Sequence, residues 1–214
     1  MTTLIFVRHG NSEANAKRIF AGHYDAELTE LGYKQAQCTA DYISERFKPD
    51  IIYSSDLKRA YATAECISEK CGVKIVKEKN LREISAGKWD GMSFADLPVK
   101  YKEDYDVWMY DIGNAVCTGG ESVKQLSERV YNAVLKIVSE NKGKTVVITT
   151  HATPIRCLEC MLKNNMELNN MKNINWVSNA SVTIVNEDDG KLILKKTGED
   201  AHLDDLKTTL PANV

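Results

Sequence analysis

Two apolar rhythms alternate along this chain: short continuous runs, and longer stretches spaced to line one face of a helix. Residues 3–7 form the first run, apolar on both faces, as a strand covered from both sides requires. Thr29 then opens a helix to about Phe47, with Glu30 in its first turn, and residues 50–53 form a short strand. A second helix starts near Asp56 and runs to Cys71, where Gly72 supplies the stop; Leu57, Ala60, Ala64, Ile67 and Cys71 keep its period. Residues 73–76 make another short strand. From 81 to 120 the regular pattern lapses. This stretch holds Trp89, Trp108, several Tyr, and a Ser93/Asp96 capping pair ahead of a helix interrupted at Pro98. Ser122 then caps a long helix, with Gln125 three residues on, and Val123, Leu126, Val130, Val134, Ile137 and Val138 form one stripe. Residues 145–149 are a second buried strand, and Thr153 and Pro154 open the next helix with Pro at its first position. A hairpin of residues 181–185 and 191–196 turns through Asp188-Asp189-Gly190. The polar tail beyond Gly198 is expected to be loose.

Strands alternating with helices predict an α/β fold: a three-layer sandwich with a mostly parallel central sheet and helices on both faces. The chain is expected to be one domain over 1–214, with an irregular cap insertion at about 84–120. Its formal net charge of -2 gives no global basic field for nucleic acid or an anionic membrane, so any anion chemistry must come from a local cluster of cations. The apolar run from Leu4 to Val7 is too short for a signal core or a membrane span, and a soluble, cytoplasmic protein is expected. Cys38, Cys66, Cys157 and Cys160 fall in helical patterns where Cys acts as a small hydrophobe. Cys157 and Cys160 have the spacing of half a zinc site, but no second Cys pair accompanies them, and no metal site is expected.

In open α/β sheets, ligands bind beyond the carboxyl ends of the strands. The strand 3–7 runs into Arg8-His9-Gly10, and 145–149 leads through Thr150 to His151. The strand ending at Tyr53 is followed by a helix with Arg59 in its first turn. If these strands are parallel neighbours, Arg8, His9, Arg59 and His151 gather in one crevice. Two guanidinium forks and a protonated imidazole would offset the two charges of a phosphate monoester, Gly10 would let the backbone approach, and the helix N-termini after Ser55 and Thr153 would add amide donors. Imidazole beside a phosphate is also a competent nucleophile. A leaving alkoxide then needs a proton. Glu83, before the aromatic stretch, would supply it from a partly desolvated carboxyl whose pKa is raised; Glu13 competes for that role. His23 and His202 lack such placement.

Arg8-His9-Gly10-Asn11-Ser12 resembles the signature of the histidine phosphatase superfamily, in the branch that includes cofactor-dependent phosphoglycerate mutases. The resemblance continues through Asn15, Phe20-Ala21-Gly22-His23-Tyr24-Asp25, Leu28-Thr29-Glu30-Leu31-Gly32 and Tyr53-Ser54-Ser55-Asp56-Leu57-Lys58-Arg59-Ala60. It extends to Leu81-Arg82-Glu83-Ile84 with Gly87, Trp89 and Gly91, and to Thr150-His151-Ala152-Thr153-Pro154-Ile155-Arg156, all in family order. It implies a phosphorylated His9, a Glu83 that protonates the leaving group and then activates water, and Arg8, Arg59 and His151 on the phosphoryl oxygens. Asn15, Gly22 and Ala152 would be further phosphate contacts, with no metal and no cofactor. The chain departs from the family at Ala152-Thr153, where two small residues are common, at Asn11, where many members have Glu, and at Ser85-Ala86.

The implied function is metal-independent hydrolysis of a small phosphate ester through phosphohistidine. Two alternatives stand beside it. A mutase must keep water from the phosphohistidine, and the polar tail is poorly suited to that; a phosphate-binding scaffold would have lost catalytic residue types, which are all present here. Tyr101, Tyr105, Trp108 and Tyr110 offer either an aromatic substrate wall or ordinary packing.

Overall fold

The computed structural model describes residues 1–208. Six strands form one sheet in the order β3-β2-β4-β1-β5-β6: β1 Thr2–Arg8, β2 Ile51–Ser54, β3 Ile75–Lys77, β4 Thr145–Thr150, β5 Val182–Asp188 and β6 Lys191–Glu199. β1 to β4 run parallel, whereas β5 lies antiparallel to β1 and β6 antiparallel to β5. The side-chain period of two splits β1 between two cores. Leu4 and Phe6 pack with Leu126, Val130, Val134 and Leu158 of helices α6 (Val123–Glu140) and α7 (Ala152–Lys163). Ile5 and Val7 pack with Ala40, Ile43, Ala64 and Ile67 of α2 (Glu30–Arg46) and α3 (Lys58–Cys71) on the other face. The α/β sandwich and its mostly parallel sheet are therefore as the sequence implies.

Register carries the functional consequence. Arg8 pairs with Thr150 across β1 and β4, and the His9 N–H donates to the Thr150 carbonyl at 3.0 Å, so the two histidines leave adjacent strands side by side. Ser54 of β2 pairs with Thr149, which brings Ser55 and the start of α3 to the same edge.

Several boundaries differ from expectation. α3 begins at Lys58 because the Asp56 carboxylate is taken by Arg82, at 2.5 and 2.6 Å, and cannot cap the helix. The third strand lies at Ile75–Lys77. α7 starts at Ala152 with His151 at its N-cap, which puts Pro154 at the third helical position, where its missing N–H still has no intrahelical acceptor to lose. Pro98 lies in the first turn of α4 (Leu97–Lys100), and the break before α5 (Lys102–Tyr110) falls at Tyr101. A short α1, Glu13–Ala16, was not expected; Ser12 and Asn15 close it with a capping box.

The tail is docked as far as it is described. Leu203 is buried in a 3-10 turn at Ala201–Leu206, His202 stacks on Tyr42 at 4.5 Å, and the Gln35 amide donates to the Leu206 carbonyl at 2.7 Å. Residues 209–214, the rest of the tail expected to be loose, lie outside the described residues. Among the described residues no helix is long and apolar enough to cross a membrane. Cys157 and Cys160 are buried on α7, Cys157 against Met171, and burial pushes the Cys157 thiol up.

Candidate active site

His9, at the end of β1, is 4% exposed and held by its backbone neighbour: Nδ1 lies 2.7 Å from the Gly10 carbonyl. That bond places the ring proton on Nδ1 and the lone pair on Nε2. Nε2 faces Arg59, whose Nε–H donates to it at 3.2 Å. Burial, then the Arg59 and Arg8 charges, hold the His9 pKa well below its ordinary value, and His151 is lowered in the same way. Both rings are neutral in the free site. The expected protonated imidazole is thus absent, and Arg8 and Arg59 alone carry the positive charge.

Arg59 is fully buried; its Nη1 donates to the Tyr24 carbonyl at 3.0 Å and its Nη2 to Gly22 at 2.9 Å. Gly22 serves this grip through its backbone: φ is +45°, and a Cβ there would fall on Asp90 Oδ1 and within 2.6 Å of the Ala86 methyl. Arg8 donates through Nη1 to the Val177 carbonyl at 2.6 Å, leaving its buried Nε without a partner among the described residues. Burial pushes both guanidinium pKa values down to about 10, with the nearby Glu83 carboxylate pulling the other way.

His151 stands beside His9, ring centroids 5.2 Å apart, with Nε2 2.8 Å from Ser55 Oγ and a buried Nδ1 that has no partner among the described residues. Glu83 is 9% exposed; Oε1 accepts from its neighbour Ile84 at 2.9 Å and Oε2 from the Thr153 N–H in the first turn of α7 at 3.3 Å. The α7 N-terminus therefore orients the carboxylate. At the α3 N-terminus the Lys58 N–H is already taken by Asp25 at 2.7 Å. Asn15 Oδ1 accepts from Ser12 and from Asn179 Nδ2, which leaves the Asn15 Nδ2 donors free of these partners.

Arg8, His9, Asn15, Gly22, Arg59, Glu83 and Ala152 line one cavity of about 70 Å³, together with Phe20, Phe94, Trp108 and Trp176. Glu13 is excluded, being on the surface and paired with Lys17. Asn11 points to Thr29 instead of the cavity, its Oδ1 accepting at 2.9 Å. Gly10 is needed for packing, since a Cβ would strike the Gly32 carbonyl of α2. Of the four aromatic residues at 101–110, Trp108 alone borders the cavity, and Tyr110 is 75% exposed.

The comparisons agree with this geometry. A family model described as the histidine phosphatase superfamily (branch 1) matches residues 4–200. The chain belongs to that superfamily. Phosphoserine phosphatase 1 of Hydrogenobacter thermophilus is 33% identical over 203 residues, covering 95% of each chain. The solved structure of YhfR from Bacillus stearothermophilus superimposes with a TM-score of 0.89 at 28% identity, over 95% of this chain and 100% of that one. A phosphoserine phosphatase from Entamoeba histolytica, solved with phosphoserine, gives 0.82 at 29% identity, over 95% and 100%. The protein is thus a histidine phosphatase, an enzyme of the phosphomonoester class.

Some residues that build this histidine phosphatase site were given no role from the sequence. His23 places Nε2 2.9 Å from the Glu83 carbonyl while its N–H donates to Asp90, so it ties the Gly22 loop to the glutamate. Asn179, 1% exposed, donates to the His9 carbonyl at 3.0 Å and accepts from Thr208 of the tail. Thr63 of α3 accepts from the Gly10 N–H at 3.1 Å. Only Trp176, an isolated aromatic in a loop, could have drawn notice.

Proposed function

We propose that this protein is a cytoplasmic, metal-independent phosphatase, a single domain capped at about 84–120, that cleaves a short phosphate ester through phosphohistidine at His9. The observation that carries the reading is the pair of buried nitrogens without a partner among the described residues, Arg8 Nε and His151 Nδ1, in the cluster around the neutral His9 imidazole. Leaving such a group unpaired costs roughly 1–3 kcal/mol, which a phosphoryl oxygen relieves on binding. Two guanidinium groups match the two charges of the monoester.

In this reading Arg59 turns its Nε–H from His9 Nε2 to a phosphoryl oxygen, freeing the lone pair. Glu83 takes up a proton from solvent as the anionic ester binds; Nε2 then attacks phosphorus in line as the P–O bond to the alcohol breaks, and the Glu83 carboxyl passes that proton to the alkoxide. The Gly10 carbonyl stabilises the positive charge on the ring through Nδ1–H. Glu83, now a carboxylate, takes a proton from water as its oxygen attacks phosphorus, and Nε2 leaves with its electron pair. Catalysis here is positioning plus charge stabilisation. The roles of Asn15, Gly22 and Ala152 follow: an amide beside the oxygens, a carbonyl that holds Arg59, and the open start of α7.

The cavity of about 70 Å³ takes a phosphoryl group and few further atoms, far below the roughly 300–1,000 Å³ that enclose a larger ligand. A short polar alcohol of phosphoserine size fits that limit. The test is a panel of small phosphate esters assayed with EDTA, together with His9→Ala. Free phosphate from wild type, its loss in the variant and an acid-labile phosphoprotein are expected. Activity retained by His9→Ala, or phosphoryl transfer to an acceptor faster than release to water, would reject the reading.

A further inference from the structure

Trp176 stands between two cavities. Among the described residues it alone lines both the phosphate cavity of about 70 Å³ and a second one of about 700 Å³ bordered by Arg156, Glu159 and Thr197. Each cavity contributes one support to the indole. Trp108, from the phosphate cavity, stacks on it with centroids 6.4 Å apart and planes at 28°. Arg156, from the larger cavity, lays its guanidinium carbon 4.1 Å from the ring centroid.

The arginine is itself immobilised. Its Nε donates to the Ile174 carbonyl at 2.7 Å and its Nη2 to Met171 at 3.0 Å, which also fixes the loop that carries the tryptophan. The indole N–H, by contrast, makes no hydrogen bond among the described residues. Stacking and apolar packing hold the ring, so its removal orphans no polar group of the Trp176 side chain.

We infer that Trp176 sets the upper size of the substrate, a deepening that rests on the phosphatase reading above. With the indole in place the alcohol portion of the ester is confined to a few atoms beyond phosphorus. Without it the two cavities become one, and the added space lies beside the phosphoryl site, where a bulky alcohol needs it. The ring acts as a partition and not as a platform for substrate stacking.

The experiment compares kcat/KM for O-phosphoserine and 1-naphthyl phosphate in wild type, Trp176→Phe and Trp176→Ala, with melting curves to confirm folding. Differences in leaving-group reactivity cancel when each variant's naphthyl-to-serine ratio is divided by that of wild type. The expected ratio rises at least about tenfold in Trp176→Ala, the scale on which pocket size discriminates substrates, and less in Trp176→Phe. Trp176→Leu replaces the alanine variant if that one does not fold. An unchanged ratio overturns the inference. So does a fall, which would mark the indole as a stacking surface. A wild-type protein that releases phosphate from neither ester, or a His9→Ala protein that releases it equally well, would count against the phosphatase reading itself and remove this inference with it.

Discussion

Ser55 Oγ lies 2.8 Å from Nε2 of His151, and the same hydroxyl accepts from the Leu57 N–H at 3.4 Å. A hydroxyl that donates to Nε2 selects the tautomer of His151 whose Nδ1–H can reach an oxyanion, and Ser55 is the side chain placed to do so.

Ser55→Ala should therefore lower kcat on the order of 10- to 100-fold, the range set by leaving one buried ring nitrogen without a partner. Steady-state kinetics with a small phosphate ester test this, and unaltered turnover would remove Ser55 from the site's design.

Glu83→Gln should reduce kcat about 10²- to 10⁴-fold on an alkyl ester, the usual contribution of a positioned general acid. The loss in the phosphorylation step should be much smaller with p-nitrophenyl phosphate, whose leaving group needs little protonation. Burst kinetics separate the steps, and equal losses on both esters would assign Glu83 a structural task only.

Stability should fall below about pH 6.5. His9, His151 and His202 are all held below the ordinary value of 6.5, mainly by burial, so on acidification the unfolded chain binds protons that the folded protein refuses. The lost stability is on the order of 1 kcal/mol for each fully neutral ring one pH unit below that point. Asp56, lowered by its Arg82 hydrogen bonds, acts with the same sign but only near and below its ordinary 3.8. Thermal melts between pH 7.5 and 5.5 measure the histidine contribution, and a flat Tm would contradict it.

Gly22→Ala should raise KM and lower kcat/KM by about tenfold or more, because an L-residue at φ +45° that meets Asp90 and Ala86 must shift the carbonyl that anchors Arg59. Melting and kinetic measurements on the one variant should move together.

The sheet was legible because its central strands are uniformly apolar, and the reactive groups because His9 and His151 each follow such a strand directly. Arg59 was legible as a cation in the first turn of a helix. Asn179 was not, and His23 and Ser55 stood out only as members of longer family-like segments, since their roles depend on partners such as the His9 carbonyl, 170 positions away from Asn179, and no local period records such a pairing. The docked tail escaped for a related reason: one buried Leu203 and one stacked His202 hold it, too few apolar positions to form a rhythm. The charge state of the histidines was misjudged because sequence shows the neighbouring arginines but not the depth of burial.

The chain Thr208–Asn179–His9 joins the far end of the described protein to the nucleophile's own carbonyl by two hydrogen bonds. Removing the Thr208 hydroxyl would loosen that tether. Met1, by contrast, is 71% exposed and precedes the strand end opposite the one that carries Arg8 and His9. An attachment at Met1 accordingly leaves the nucleophile's backbone undisturbed, whereas a change as distant in sequence as Thr208 reaches it through Asn179.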